Sequence, residues 1–328
     1  MRRRFLVLTG AVAVGLVLGL TLSVAGAGGW DLWLSQRGVV ATYGDLGRAV
    51  PALDGRRLYL DCRGEGAPTV VLEAGMGMDA RSWGAVFPAL ADVTRTCAYS
   101  RANRWGSDTR GPHTIGAAAA DLRAALAAAG EDPPFILVGH SLGDVYVRAF
   151  AGPYRDDVAG LVLVDPFGPD AFRRLIALAP SGLAARWQAN LDGNIAAVTA
   201  TEGLDWPASE RELAAVDLGT LPVEIVVVRQ PFDVDPFVPD ADRKRLAAVW
   251  EAGLEAVSGA TRVTFAAGSS HMIQWDRPDL VIEATERLVQ GTRKGRVGLG
   301  RRTAAVEDQP GAAAHAAAAT MTVAWMAT

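Results

Sequence analysis

Cysteine is nearly absent from this chain: its 328 residues hold only Cys62 and Cys97. Two thiols cannot build a disulfide scaffold, and their spacing is not that of metal ligands. Histidine is scarce as well, limited to His113, His140, His271 and His315. No His-Glu-x-x-His, Gly-x-Gly-x-x-Gly or Walker sequence occurs, so the usual signatures of zinc peptidases, dinucleotide binding and P-loop chemistry are missing. No metal or organic cofactor is implied. A positive excess is lacking too. The formal net charge is −4 and nothing forms a basic stripe for a phosphate backbone, so nucleic acid is not an expected partner. No internal repeat is visible.

What is present is ordinary globular material, 50% apolar and 21% charged, long enough for one substantial domain with appendages. The N-terminus departs from that composition. Met1-Arg2-Arg3-Arg4 precedes an uncharged, mainly apolar run from Phe5 to Gly29. About 20 apolar residues suffice to cross a bilayer, while Ala25-Gly26-Ala27 has the small-x-small form of a signal-peptidase site. Residues 1–30 are therefore expected to be a signal-anchor or a cleaved signal peptide. Either would leave the bulk of the chain outside the cytoplasm, membrane-anchored or secreted, because the arginines stay on the inner side.

From Val50 to about Gln290, short β-branched runs alternate with longer helical patterns, the arrangement of a largely parallel sheet covered by helices. Strands are predicted at Thr69–Glu73, Arg95–Ser100, Phe135–Val138, Gly160–Asp165, Glu224–Arg229 and Arg262–Ala267. Their unbroken apolar character suits burial on both faces. Thr114 and Gly130 bracket a crossover helix with Ile115, Ala118, Leu122, Ala125 and Ala129 on its apolar side. The βα rhythm breaks at residues 166–221, which read as an inserted helical cap with pieces at Ala171–Ala179 and Glu210–Val216. Residues 291–328 end in an Ala-rich run and are expected to form a disordered tail.

One motif carries chemistry. Gly139-His140-Ser141-Leu142-Gly143 stands between a predicted strand and a helix bearing Leu142, Val145, Tyr146 and Ala149 on one face. A serine hydroxyl becomes a nucleophile when a sharp strand-to-helix turn holds it exposed beside a base, and that turn requires very small neighbours. With Val70 to Gly77, Cys97-Ala98-Tyr99-Ser100-Arg101, Leu161 to Asp165 and Gly268-Ser269-Ser270-His271, the motif resembles, in order, the landmarks of the α/β-hydrolase family. The resemblance covers most of residues 50–290 and is to its membrane-anchored or exported bacterial-type members. It implies an α/β-hydrolase fold over residues 44–290, a mostly parallel central sheet flanked by helices, with the cap inserted after the sixth strand.

The resemblance also implies roles. The family's order is nucleophile, acid, then histidine, so His271 is the expected base. His140 abuts the nucleophile but points elsewhere, His113 precedes a crossover helix, and His315 lies in the tail. The acid, which must orient and stabilise the imidazolium, is open between Asp165 at the end of one strand and Asp235 or Asp233 after the next. Oxyanion donors are expected from the backbone amides of Leu142 and of Met76, the latter in the Gly75-Met76-Gly77 loop. Cys62 and Cys97 would fall on neighbouring strands, which makes a disulfide possible. Three positions depart from the family's pattern: Asp144, Ser100 and Ser270. The expected activity is hydrolysis of a small-molecule ester, thioester or amide with an apolar group, carboxylesterase- or lipase-like, its apolar part facing cap residues such as Phe167, Phe172, Leu175, Ile176 and Trp187. The alternative is a ligand-binding protein that keeps the fold without turnover, for which Asp144 is the best sequence support.

Overall fold

The computed structural model describes residues 47–167, 169–179, 181–228, 262–295, 307–308 and single positions between 242 and 252. The chain divides into two compact units, Met1–Gly44 and Asp45–Thr328, and every described residue belongs to the second. The apolar segment 5–29, Asp233, Asp235 and His315 lie outside the described residues. Among the described residues no helix is long and apolar enough to cross a membrane.

The sheet is built from β1 (Arg48–Pro51), β2 (Arg57–Arg63), β3 (Thr69–Glu73), β4 (Thr96–Ser100), β5 (Phe135–His140), β6 (Val158–Val164), β7 (Val223–Val227), β8 (Arg262–Phe265) and β9 (Glu307–Asp308). Their spatial order is β1-β2-β4-β3-β5-β6-β7-β8-β9. β2 runs antiparallel to β1 and β4, and the strands from β4 through β8 are mutually parallel. Every residue of β3, β5, β6 and β7 is buried, as continuous apolar runs covered on both faces require. Each large apolar side chain so enclosed contributes about 1.5–3 kcal/mol.

The helices are α1 (Val86–Ala91), α2 (Ile115–Ala129), α3 (Gly143–Ala151), α4 (Pro169–Leu178), α5 (Ser181–Glu202), α6 (Trp206–Ala214), α7 (Ile273–Asp276) and α8 (Pro278–Arg293). α2 starts and stops where its capping residues dictate. The Thr114 side chain accepts from Ala117 N–H at 3.3 Å, and Gly130 takes the left-handed conformation. The helix buries Ile115, Ala119, Leu122, Ala125 and Leu126, whereas Ala118 and Ala129 are only half-buried. α4, α5 and α6 fill the interval between β6 and β7. The 22-residue α5 has no counterpart among the predicted pieces, because its apolar residues make only a weak stripe.

Two local expectations change. α8 continues past 290 to Arg293, whose guanidinium donates to Ala67 O at 2.8 Å and Val93 O at 3.1 Å, and Glu307–Asp308 pairs with β8. The region expected to be a disordered tail from 291 therefore begins as helix. In the cap, Leu175 and Trp187 are buried in the main core with Ile176 packed against them, so they serve packing, while Phe167 belongs to a separate cluster beside α3.

Cys62 and Cys97 face each other across β2 and β4 and form a disulfide. It closes a loop with a sequence separation of 35, and such a cross-link contributes on the order of 2–4 kcal/mol, largely by restricting the unfolded chain. The double variant C62A/C97A should lose about that much unfolding free energy in urea while keeping its far-ultraviolet dichroism. An unchanged denaturation midpoint would show that the cross-link is not formed or not stabilising.

Candidate active site

The site lies at the carboxyl edge of the parallel strands, where open α/β sheets place their ligands. His140, the last residue of β5, pairs in register with Val164, the last of β6, so Ser141 and Asp165 leave the sheet side by side. Both turn with positive φ, 52° at Ser141 and 42° at Asp165. For residues other than glycine this conformation is strained, and it survives only where surrounding bonds enforce it. They do so here. Ser141 N–H donates to Val164 O at 2.9 Å, while Ser141 O accepts from Asp144 N–H at 3.1 Å and Phe167 N–H at 3.0 Å.

The turn also needs its small neighbours. A Cβ on Gly143 would stand 2.5 Å from Glu73 O, so the serine turn can press against the end of β3 only because residue 143 has no side chain. On the other side, a Cβ on Gly75 would stand 2.8 Å from His140 Nδ1. The loop after β3, the serine turn and His140 thus meet at van der Waals distance.

His271 follows β8, and its Nδ1 lies 2.6 Å from Asp165 Oδ2. Asp165 is fixed in turn by its own N–H on Val226 O at 2.7 Å and by Val228 N–H on Oδ1 at 3.2 Å. Among the described residues Asp165 is the carboxylate that meets His271, and Asp233 and Asp235 lie outside them. The histidine's backbone is held as well, since its carbonyl accepts from His140 Nε2 at 3.0 Å. His140 Nδ1 lies 3.3 Å from Gln274 Nε2, and the two imidazole rings are 4.8 Å apart. Full burial drives the His140 pKa well below its ordinary value, and neighbouring His271 adds to the effect. A neutral His140 with its proton on Nε2 satisfies both bonds. His113 instead bridges to the cap through His113 N–H on Gly203 O at 3.0 Å.

Of the amides expected as donors, that of Leu142 directly follows Ser141 and that of Met76 lies in the loop after β3. Leu142 N–H and Met76 N–H make no hydrogen bond among the described residues, whereas Gly77 N–H donates to Glu202 Oε1 at 2.7 Å and Met78 N–H to Gly75 O at 3.2 Å. Met76, Phe167 and Ile195 are half-buried against an apolar cluster of Leu142, Val145, Tyr146, Val198, Leu204 and Trp206 that joins α3 to the cap.

The three departures from the family's pattern have local explanations. Asp144 is fully buried, and burial raises its pKa, but Arg148 opposes this with two 2.6 Å hydrogen bonds that compensate the carboxylate. The Ser100 hydroxyl is buried and accepts from Ala80 N–H at 3.4 Å. Ser270 is tied to Asp276, whose Oδ2 accepts Ser270 N–H at 2.9 Å and shapes the turn carrying His271. The cluster of metal-ligating type found among the described residues is Cys62, Cys97 and Glu131, and its sulfurs are joined to each other.

A buried charge cluster beneath the site went unassigned in the sequence. Arg101, Glu73 and Glu202 are 4%, 1% and 1% exposed and hydrogen-bonded to one another. Burial pushes the Glu73 carboxyl up despite Arg101, and Tyr99 donates its hydroxyl to it. Burial acts on Glu202 in the same direction, but Arg101 and Arg104 together outweigh it and leave the carboxyl below its ordinary value. The signal was a glutamate closing the otherwise apolar strand Thr69–Glu73.

Two buried imidazoles have lowered pKa values, those of His140 and His113. In the unfolded chain histidine titrates near about 6.5. Below that pH the unfolded state takes up protons that the folded state refuses, so stability is full above it and is lost as pH falls. The urea midpoint should decline from about pH 7.5 to about pH 5.5, and His140→Gln should flatten the decline. Equal slopes in the two proteins would contradict a neutral, buried His140.

Residues 70–284 match the model of the alpha/beta hydrolase family. A curated relative, the probable transporter efuK of Hormonema carpetanum, is 34% identical over 143 residues, which is 42% of this chain and 19% of that protein. The chain spans less than half the length of the curated relatives it matches. Among solved structures, an esterase from Exiguobacterium antarcticum superposes with a TM-score of 0.52 at 16% identity, covering 74% of this chain and 99% of that one. A membrane phospholipase A described as a bacterial virulence factor gives 0.52 at 18% identity, covering 89% and 99%. The sheet order, the strand-to-helix serine turn and a family match spanning most of the chain establish that this protein belongs to the alpha/beta hydrolase family.

Proposed function

We propose that the protein is a serine hydrolase that cleaves a small-molecule ester, thioester or amide through an acyl-enzyme, with Ser141 as nucleophile, His271 as base and Asp165 as acid. The observation that carries this reading is the 2.6 Å contact of His271 Nδ1 with Asp165 Oδ2 on the same sheet edge as the left-handed Ser141. With its Nδ1 proton held on Asp165, the imidazole presents its basic lone pair at Nε2. His271 takes the Ser141 proton as Oγ bonds to the substrate carbonyl carbon. The oxygen that becomes negative is received by the N–H groups of Met76 and Leu142. His271 then protonates the leaving alcohol, thiol or amine, the acyl group stays on Ser141, and water activated by His271 releases the acid. Asp165 orients the ring and stabilises the imidazolium.

The half-buried Met76, Phe167 and Ile195 support a substrate with an apolar acyl or alcohol group, as a carboxylesterase or lipase-like enzyme would take. The uncharged run from Phe5 to Gly29 and the Cys62–Cys97 disulfide together support a location outside the cytoplasm, anchored or secreted. The pairing of Asp144 with Arg148 weakens the reading as an inactive binding protein, since that carboxylate is compensated inside the fold.

A fluorophosphonate probe should label the native chain and leave Ser141→Ala unlabelled; no labelling of folded wild-type protein rejects the proposal. With p-nitrophenyl esters of short to medium chain, Asp165→Asn should lose roughly 10⁴-fold in kcat, the cost of a misoriented histidine. Asp233→Asn and Asp235→Asn should stay near wild type. A comparable loss in either of these instead would move the acid to that position.

A further inference from the structure

The loop that carries Met76 is held by a side chain the mechanism does not use. Arg101 follows β4 and is buried, and each of its five N–H groups meets an acceptor. Nη1 donates to Glu73 and to Ala74 O at 2.6 Å. Nη2 donates to Gly75 O at 2.8 Å and Glu202 Oε1 at 3.0 Å, and Nε to Glu202 Oε2 at 3.3 Å. The guanidinium lies over the Tyr146 ring, 4.5 Å from its centroid.

The consequence follows from peptide geometry. In a planar trans peptide the carbonyl oxygen and the next amide hydrogen point in opposite directions. Gripping Gly75 O therefore aims Met76 N–H, which belongs to the same peptide unit, away from Arg101. The next amide is fixed independently, because Gly77 N–H donates to Glu202 Oε1. Glu202 is the last residue of α5, the long cap helix, so one carboxylate joins the cap both to the loop and to the arginine that orients it.

We propose that Arg101 and Glu202 are positioning residues that set the direction of the Met76 amide, and that Glu202 makes this direction depend on the seating of the cap. The inference rests on the reading of Met76 N–H as an oxyanion donor. A lysine cannot replace Arg101, since three donors on one nitrogen cannot span two carbonyls and two carboxylates in a plane. Glu202→Gln keeps the shape but puts an amide donor toward the guanidinium and lowers the negative charge on the latch.

The test compares wild type, Arg101→Lys and Glu202→Gln with a p-nitrophenyl ester and with a trifluoromethyl ketone, which acquires the tetrahedral oxyanion when Ser141 adds to it. Both variants should lose about 10- to 100-fold in kcat, part of the ~10²–10³ that removal of an oxyanion donor costs, with KM changed less than about threefold. The ketone's inhibition constant should rise in parallel with the loss in kcat/KM, and urea midpoints should show that the proteins compared are folded. Should Arg101→Lys fail to fold, Glu202→Gln carries the test. Full kcat and unchanged ketone inhibition in Glu202→Gln, with an active wild type and inert Ser141→Ala, overturn this proposal and leave the serine mechanism standing. A folded wild type that neither turns over nor labels overturns both.

Discussion

Ser141 occupies a backbone conformation that costs a non-glycine residue about 1–3 kcal/mol, and its neighbours are arranged so that this cost is met. Its amide and carbonyl are bonded to the chain on either side of Asp165, and Gly143 lets the turn close against Glu73 O. Because β5 and β6 are paired to their final residues, the same constraint that places the serine at the sheet edge places Asp165 beside it. The histidine arrives from β8, with its ring held by Asp165 and its carbonyl by His140. Every element of the site is thus tied to the end of a buried strand, which is where positional precision is cheapest.

Charge is managed by enclosure in pairs. Asp144 with Arg148, and Arg101 with Glu73 and Glu202, are carboxylates and guanidinium groups paired inside the fold. A lone buried charge would be costly, and removing one partner of such a pair typically destabilises strongly. The acids near Ser141 are therefore bound to cations inside the fold. His140 contributes as a neutral imidazole, its pKa depressed by burial, so it brings no charge of its own to the site.

Much of this was legible in the sequence, for identifiable reasons. Short β-branched runs such as Ile136-Leu137-Val138 suit strands buried on both faces, and Thr114 with Gly130 marked the ends of α2 because capping is local chemistry. The serine motif was legible because its glycines are steric requirements. Asp165, Asp235 and Asp233 stayed open in the sequence because contact with His271 depends on which strand end faces it, and the structure describes that contact for Asp165. The Arg101 cluster was hidden for the same reason: its members are separated by 28 and 101 residues and meet only when the cap folds over the sheet edge. α5 was missed because its apolar residues are spread around the helix and form no clear stripe, and Leu175 and Trp187 pack the core.

The central claim, that Ser141 forms a covalent acyl intermediate, is most directly tested by rapid acid quench of the enzyme turning over a p-nitrophenyl ester, followed by peptide mass mapping. The account predicts the acyl mass increment on the peptide containing Ser141, appearing with the first turnover and absent in Ser141→Ala. Turnover without any adduct at Ser141, or undiminished activity in Ser141→Ala, would contradict it.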